Sequence, residues 1–108
     1  MKKVPMFLSA FAIAAISSAV HAEDYVITLK DHAFTPQELT IPAGQKVKIT
    51  VKNQDTTPAE FESHELKREK IINGNSEAVI FVGPLDPGTY GYFDEFHEDT
   101  TKGKIIAK

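Results

Sequence analysis

Five residues near the end of the chain could do chemistry together. Asp94, Glu95, His97, Glu98 and Asp99 fall within six positions. Glu60 and Glu62 lie a third of the chain upstream, on either side of Phe61. Carboxylates and an imidazole offered together suit a divalent transition metal. Three or four carboxylates held close also repel one another, so such a cluster is exposed, protonated or metal-bound. Without a metal, the same residues would be a solvated acidic surface. The chain has no cysteine, which removes thiolate catalysis, iron–sulfur ligation and every Cys-ligated metal site.

These residues need a frame, and the sequence supplies strands. The stretch 46–53, KVKITVKN, alternates strictly: Val47, Ile49 and Val51 mark a buried face and Lys46, Lys48, Thr50 and Lys52 a solvent face. Pro42-Ala43-Gly44-Gln45 before it is a turn, in which Pro presets φ and Gly can take φ > 0. Strands are also expected over Asp24–Lys30, Glu38–Ile41, Ala59–Ser63, Lys70–Ile72, Ser76–Val82, Thr89–Phe93 and Gly103–Ala107, with His32–Pro36 breaking the first. Ser76–Val82 carries Val79, Ile80, Phe81 and Val82 in a row and reads as buried on much of both faces. The segment from His64 into Lys70 reads as a helical turn or an irregular crossover. About eight short strands with turn signals between them give an all-β sandwich or barrel of Greek-key type. Its expected core is Val47, Ile49, Val51, Phe61, Ile80 and Tyr90.

In an extended segment Glu60 and Glu62 share one face, opposite Phe61. The loop at 94–99 is held between two strands, where rigid elements fix the side chains of a binding site. The candidate metal ligands are Glu60, Glu62, Asp94, Glu95 and His97; that the two segments meet is what the family resemblance given below implies. Which member of each acidic pair ligates stays open. His64 can approach the same end. His32 reads as a surface or turn histidine. Glu65 and Glu69 read as surface charges, although Glu69 could line the site. Glu98 and Asp99 attract cations rather than bind them.

The N-terminus is read apart from the domain. Lys2 and Lys3 precede an apolar run of small residues up to Val20, and Val20-His21-Ala22 places small residues around a cut after Ala22. We therefore expect a signal peptide over 1–22, a single domain over 23–108 and a periplasmic protein. His21 leaves with the leader. Loss of Lys2 and Lys3 from the 12 basic residues, against 15 acidic ones, deepens the formal net charge from −3 to about −5. That balance disfavours nucleic acid and anionic membrane and favours cations.

The order PAGQKVKITVKN, a Pro-containing loop, then LDPGTYGYF, a loop and GKIIAK resembles the cupredoxin fold over nearly all of residues 23–108. In copper-binding cupredoxins the last loop carries Cys, two residues, His and then usually Met. Here Asp94-Glu95-Phe96-His97 keeps that spacing, with Asp94 in the place of the Cys and no Met near Thr101. Near Pro58, where the family carries another His, stand Ala59, Glu60 and Glu62. A blue-copper centre needs two His and a Cys, so electron transfer of that kind is not expected. The remaining donors suit Fe, Cu(II), Mn or Zn.

A narrower resemblance runs through Pro58–Ser63, Arg68-Glu69-Lys70, Gly83-Pro84-Leu85, Pro87–Tyr90 and Phe93–Thr100. These stretches are similar to the small periplasmic cupredoxin-like proteins of bacterial ferrous-iron permease systems, of the Ftr type and the EfeO cupredoxin domain. The resemblance implies binding of Fe(II) or Cu(II) in high-affinity iron uptake, beside an iron permease and its periplasmic companion protein. Two alternatives are a ferroxidase oxidising Fe(II) for the permease and a metal-free domain docking on the permease complex.

Overall fold

The computed structural model describes residues 24–108. The expected signal peptide lies outside them. Nine strands are formed: β1 (Asp24–Lys30), β2 (Ala33–Thr35), β3 (Glu38–Ile41), β4 (Val47–Asn53), β5 (Ala59–Ser63), β6 (Arg68–Ile72), β7 (Ser76–Val82), β8 (Gly88–Asp94) and β9 (Lys102–Ala107). A 3-10 turn, Glu95–His97, follows β8. The strands make two mixed sheets, β2-β1-β4-β7 and β3-β9-β8-β5-β6. The all-β expectation holds.

The alternation in β4 does what its sequence requires. Val47, Ile49 and Val51 are fully buried, and each has a Lys or Thr neighbour on the outer face. They meet Ile27 and Leu29 of β1, Phe61 of β5, Tyr92 of β8 and Ile105 of β9 in one core between the sheets. Burying apolar side chains of this size stabilises a fold by roughly 1.5–3 kcal/mol each, before the entropy cost of ordering them. Gly44 turns the chain into β4 with φ 77°, a conformation glycine adopts without steric cost.

Four expectations need correction. Ser76–Val82 is not buried on both faces: Val79 and Phe81 are 40% and 44% exposed. β7 is an edge strand, and only its inward face, with Ile80 and Val82, packs on the core. In β8 the fully buried aromatic is Tyr92, with Tyr90 only partly covered and its hydroxyl donating to the Asp86 carbonyl at 2.8 Å. The charged segment after His64 turns only through Lys67 and then forms β6, paired along its whole length with β5. The break at His32–Pro36 contains β2, which folds back on β1 through Asp31 and His32 at φ 52° and 57°.

Candidate metal centre

β5 positions the first two carboxylates. Its period of two turns Ala59, Phe61 and Ser63 inward and Glu60 and Glu62 outward. β6 pairs antiparallel with β5 and sets Glu69 directly opposite Glu62, so the two side chains share a face. On its other side β5 meets β8, with Phe61 opposite Asp94 and Glu62 opposite Phe93. One step further in that register stands Glu95, at the start of the 3-10 turn. Glu60, Glu62, Glu69 and Glu95 thus converge on the outer face of the five-stranded sheet. Each offers a carboxylate oxygen within 4.8 Å of the others.

This crowding shows in their acidities. Glu60 is only 7% exposed. Its pKa is pushed up from 4.5 to about 7, first by a hydrogen bond shared with Glu69, then by burial and by the charges of Glu95, Glu69 and Glu62. Glu62 is also raised, first by a hydrogen bond shared with Glu95, then by burial and by Glu69 and Glu95; nearby His64 pulls the other way. Nδ1 of His64 lies 3.8 Å from Glu62 Oε2. The group can thus hold protons between its carboxylates or replace them with a cation, the two ways in which clustered carboxylates escape mutual repulsion.

Asp94 and His97 are placed differently. β8 extends through Asp94, which puts that side chain on the inward face with Tyr92; it is 1% exposed. Its Oδ1 accepts the backbone amides of Glu60 at 2.9 Å and Phe96 at 3.1 Å, the second as the N-cap of the 3-10 turn. Its Oδ2 faces His97 Nδ1 at 3.2 Å. The His97 ring lies against that of His32, with centroids 4.1 Å apart.

Of the five residues singled out from the sequence, Glu60, Glu62 and Glu95 come together, joined by Glu69. Asp94 and His97 form a pair of their own. From the sequence Glu69 read as a surface charge that could line the site. Its signal was the register: a four-residue turn after Ser63 brings position 69 opposite position 62.

The sequence matches the family described as "Cupredoxin-like domain" over residues 3–107. It is 45% identical over 81 residues to uncharacterized protein RP394 of Rickettsia prowazekii (strain Madrid E), covering 75% of this chain and 65% of that protein's length. The chain therefore spans about two thirds of that relative. Among solved structures, auracyanin A, a "blue" copper protein from Chloroflexus aurantiacus, matches with TM-score 0.69 and 20% identity over 82% of this chain and 100% of its own. Amicyanin from Paracoccus versutus matches with TM-score 0.63 and 19% identity over 82% and 85%. At these identities the structural matches speak for the fold.

A blue-copper centre does not fit the residues present. The chain has no cysteine to supply its thiolate, and Asp94, three residues before His97, has its Oδ1 occupied by two backbone amides. No Met stands near Thr101, whose hydroxyl donates to the His32 carbonyl at 2.7 Å.

Proposed function

The chain belongs to the cupredoxin-like domain family, and from that premise we propose that it binds Fe(II) or Cu(II) on carboxylates and serves iron uptake in the periplasm. The observation that carries the metal reading is the meeting of Glu60, Glu62, Glu69 and Glu95 within 4.8 Å, with Glu60 nearly buried. Oxygen donors of this kind suit hard divalent cations, Mn(II) among the first transition row, and the affinity of a given site rises from there through Fe(II) to Cu(II). The chain offers four converging carboxylates and no cysteine, a hard donor set rather than a soft one. Copper(II) outbinds Fe(II) at most such sites, so the ion met in the cell depends on supply.

The protein's own part is to hold the four oxygens on two paired strands and one capped turn, and to release the proton that the crowding favours on Glu60. The placement in iron uptake, beside a permease and its companion, is supported by the stretches around Pro58, Arg68, Pro87 and Phe93. The leader-like residues before Ala22 support export.

Anaerobic calorimetry with Fe(II), and separately with Cu(II), Mn(II) and Zn(II), tests the reading. One ion should bind the wild type, and Glu60→Gln with Glu69→Gln should weaken it severely. Equal affinity in that double variant would refute the site. Loss of Fe(II) in air above the protein-free rate would add a ferroxidase activity to binding.

A further inference from the structure

His64 stands at the rim of the four-glutamate group, with its backbone fixed and its ring loose. It opens the turn between β5 and β6, where its carbonyl accepts the amide of Lys67 at 3.2 Å and Lys67 takes φ 56°. The hydroxyl of Ser63, one residue before it, donates to the Gly91 carbonyl at 2.7 Å and accepts the Leu66 amide at 3.1 Å. The carboxylate of Glu65, one residue after it, accepts the Gly91 amide at 2.6 Å. Both chain neighbours of His64 are thus tied to β8. The His64 side chain itself is 79% exposed. Among the described residues its ring makes no hydrogen bond and rests on the Phe93 ring, with centroids 5.5 Å apart.

That position is beside the carboxylates. Phe93 stands opposite Glu62 across β8 and β5, and His64 Nδ1 lies 3.8 Å from Glu62 Oε2. An N–H···O bond spans about 2.7–3.2 Å, so these two atoms are not bonded to each other. Two donors that each lie about 2.1 Å from one ion can stand up to about 4.2 Å apart, so the gap is within the span of a shared metal. No fixed cation serves the group. Arg68, next to Glu69 in the chain, donates instead to the Phe81 and Lys67 carbonyls at 2.8 and 3.0 Å. Among the described residues no Lys or Arg pairs with Glu60, Glu62, Glu69 or Glu95. Glu60, 7% exposed, therefore offers its carboxylate to a group without a permanent positive charge.

We propose that His64 supplies a nitrogen donor to the glutamate site and sets which metal that site prefers. This rests on the carboxylate reading above and goes beyond it. Carboxylates alone suit Mg(II), Ca(II) and Mn(II), whereas imidazole suits Fe, Zn and Cu. One nitrogen added to the oxygen set therefore favours Fe(II) over Mn(II). The pinned turn carries the imidazole to the rim, and a small rotation of the exposed side chain brings Nδ1 onto an ion held at Glu62. Ligation through Nδ1 leaves the ring proton on Nε2, where the exposed ring can give it to water.

Anaerobic calorimetry with Fe(II) and, separately, with Mn(II) tests this. His64→Gln should weaken Fe(II) by at least about tenfold, the lower end of what losing even an indirect partner of a metal costs, and leave Mn(II) nearly unchanged. At 79% exposure the side chain is no part of the core, so the variant should fold. Zn(II) titration of the unaltered protein, followed by nitrogen NMR of the imidazoles, should move His64 Nδ1 and leave His32 and His97 in place. In Glu60→Gln with Glu69→Gln, the zinc shift of His64 should vanish together with Fe(II) affinity. Wild-type affinity in that double variant would overturn the carboxylate site and this inference with it. Loss of the ion in the double variant, beside an unchanged preference for Fe(II) over Mn(II) in His64→Gln, would overturn the nitrogen donor alone. So would zinc that binds without moving His64, or that still moves it in the double variant.

Discussion

The carboxylate of Asp94 accepts the backbone amide of Glu60 at 2.9 Å, across the join between β8 and β5. Asp94 thereby fastens the strand carrying two of the candidate ligands. The same oxygen caps the turn that carries Glu95 and His97. Asp94→Ala would strip both amides of their partner. An unpaired buried donor costs about 1–3 kcal/mol and a lost N-cap about 1. At ~4–8 °C per kcal/mol for a domain of this size, the melting temperature should fall by at least roughly 8 °C. Asp94→Asn, which keeps an acceptor oxygen, should lose much less. Thermal melts of the two variants check this.

The raised acidities predict how the metal-free protein responds to pH. Glu60 titrates near 7 when folded, against 4.5 ordinarily, and Glu62 moves in the same direction. Between those values the folded state binds more protons than the unfolded one, so stability falls as pH rises. The contribution is complete below about 4.5 and lost as pH passes through about 7. Glu69, Glu95 and His64 face the same group. Asp55 acts oppositely: its pKa is lowered although burial opposes this, because the amides of His32 and Asp31 and the charges of His32 and Lys30 stabilise the carboxylate. Its contribution is present above about 3.8 and lost in more acidic solution. The metal-free protein should melt higher at pH 5.5 than at pH 8, and Glu60→Gln should flatten that difference. Saturating divalent cation should restore stability at pH 8.

Tyr92 predicts a stabilising substitution. Its ring stacks on Phe61 at 4.8 Å and meets Phe34 edge-on at 5.0 Å. Its hydroxyl is buried without a hydrogen-bond partner among the described residues, and burial pushes its pKa up. Removing an unsatisfied buried group is neutral or favourable, so Tyr92→Phe should melt at or above the wild-type temperature. Gly103→Ala should do the reverse, because an added Cβ would collide with the Tyr92 ring and hydroxyl. Overpacking of this kind costs about 1–3 kcal/mol. Paired melts of the two variants measure both.

Copper-loaded protein should be pale. With no cysteine in the chain, the intense visible band of a copper–thiolate bond has no origin. Absorption spectra at one and two equivalents of Cu(II) should show only weak bands.

Much of the architecture was legible because one side-chain period dominates it. Val47, Ile49 and Val51 announce a strand with one buried face, and the same period puts Glu60 and Glu62 together. If Tyr90 faces the core, then so do Tyr92 and Asp94, provided the strand runs to Asp94, as it does. Asp94 therefore turns inward and Glu95 outward. Glu69 depended on a pairing register, which a charged turn of four residues conceals. His32 depended on a hairpin in the left-handed region held by Asp55, 23 positions away. No local pattern reports such a contact.

The central claim is that the four glutamates hold a divalent cation. Its most direct test is crystallographic: anomalous scattering collected at the metal edge from protein loaded with Fe(II) under anaerobic conditions. The account predicts a peak enclosed by carboxylate oxygens of Glu60, Glu62, Glu69 and Glu95. Crystals loaded to saturation that show no peak among those four side chains, with the iron elsewhere, would contradict it.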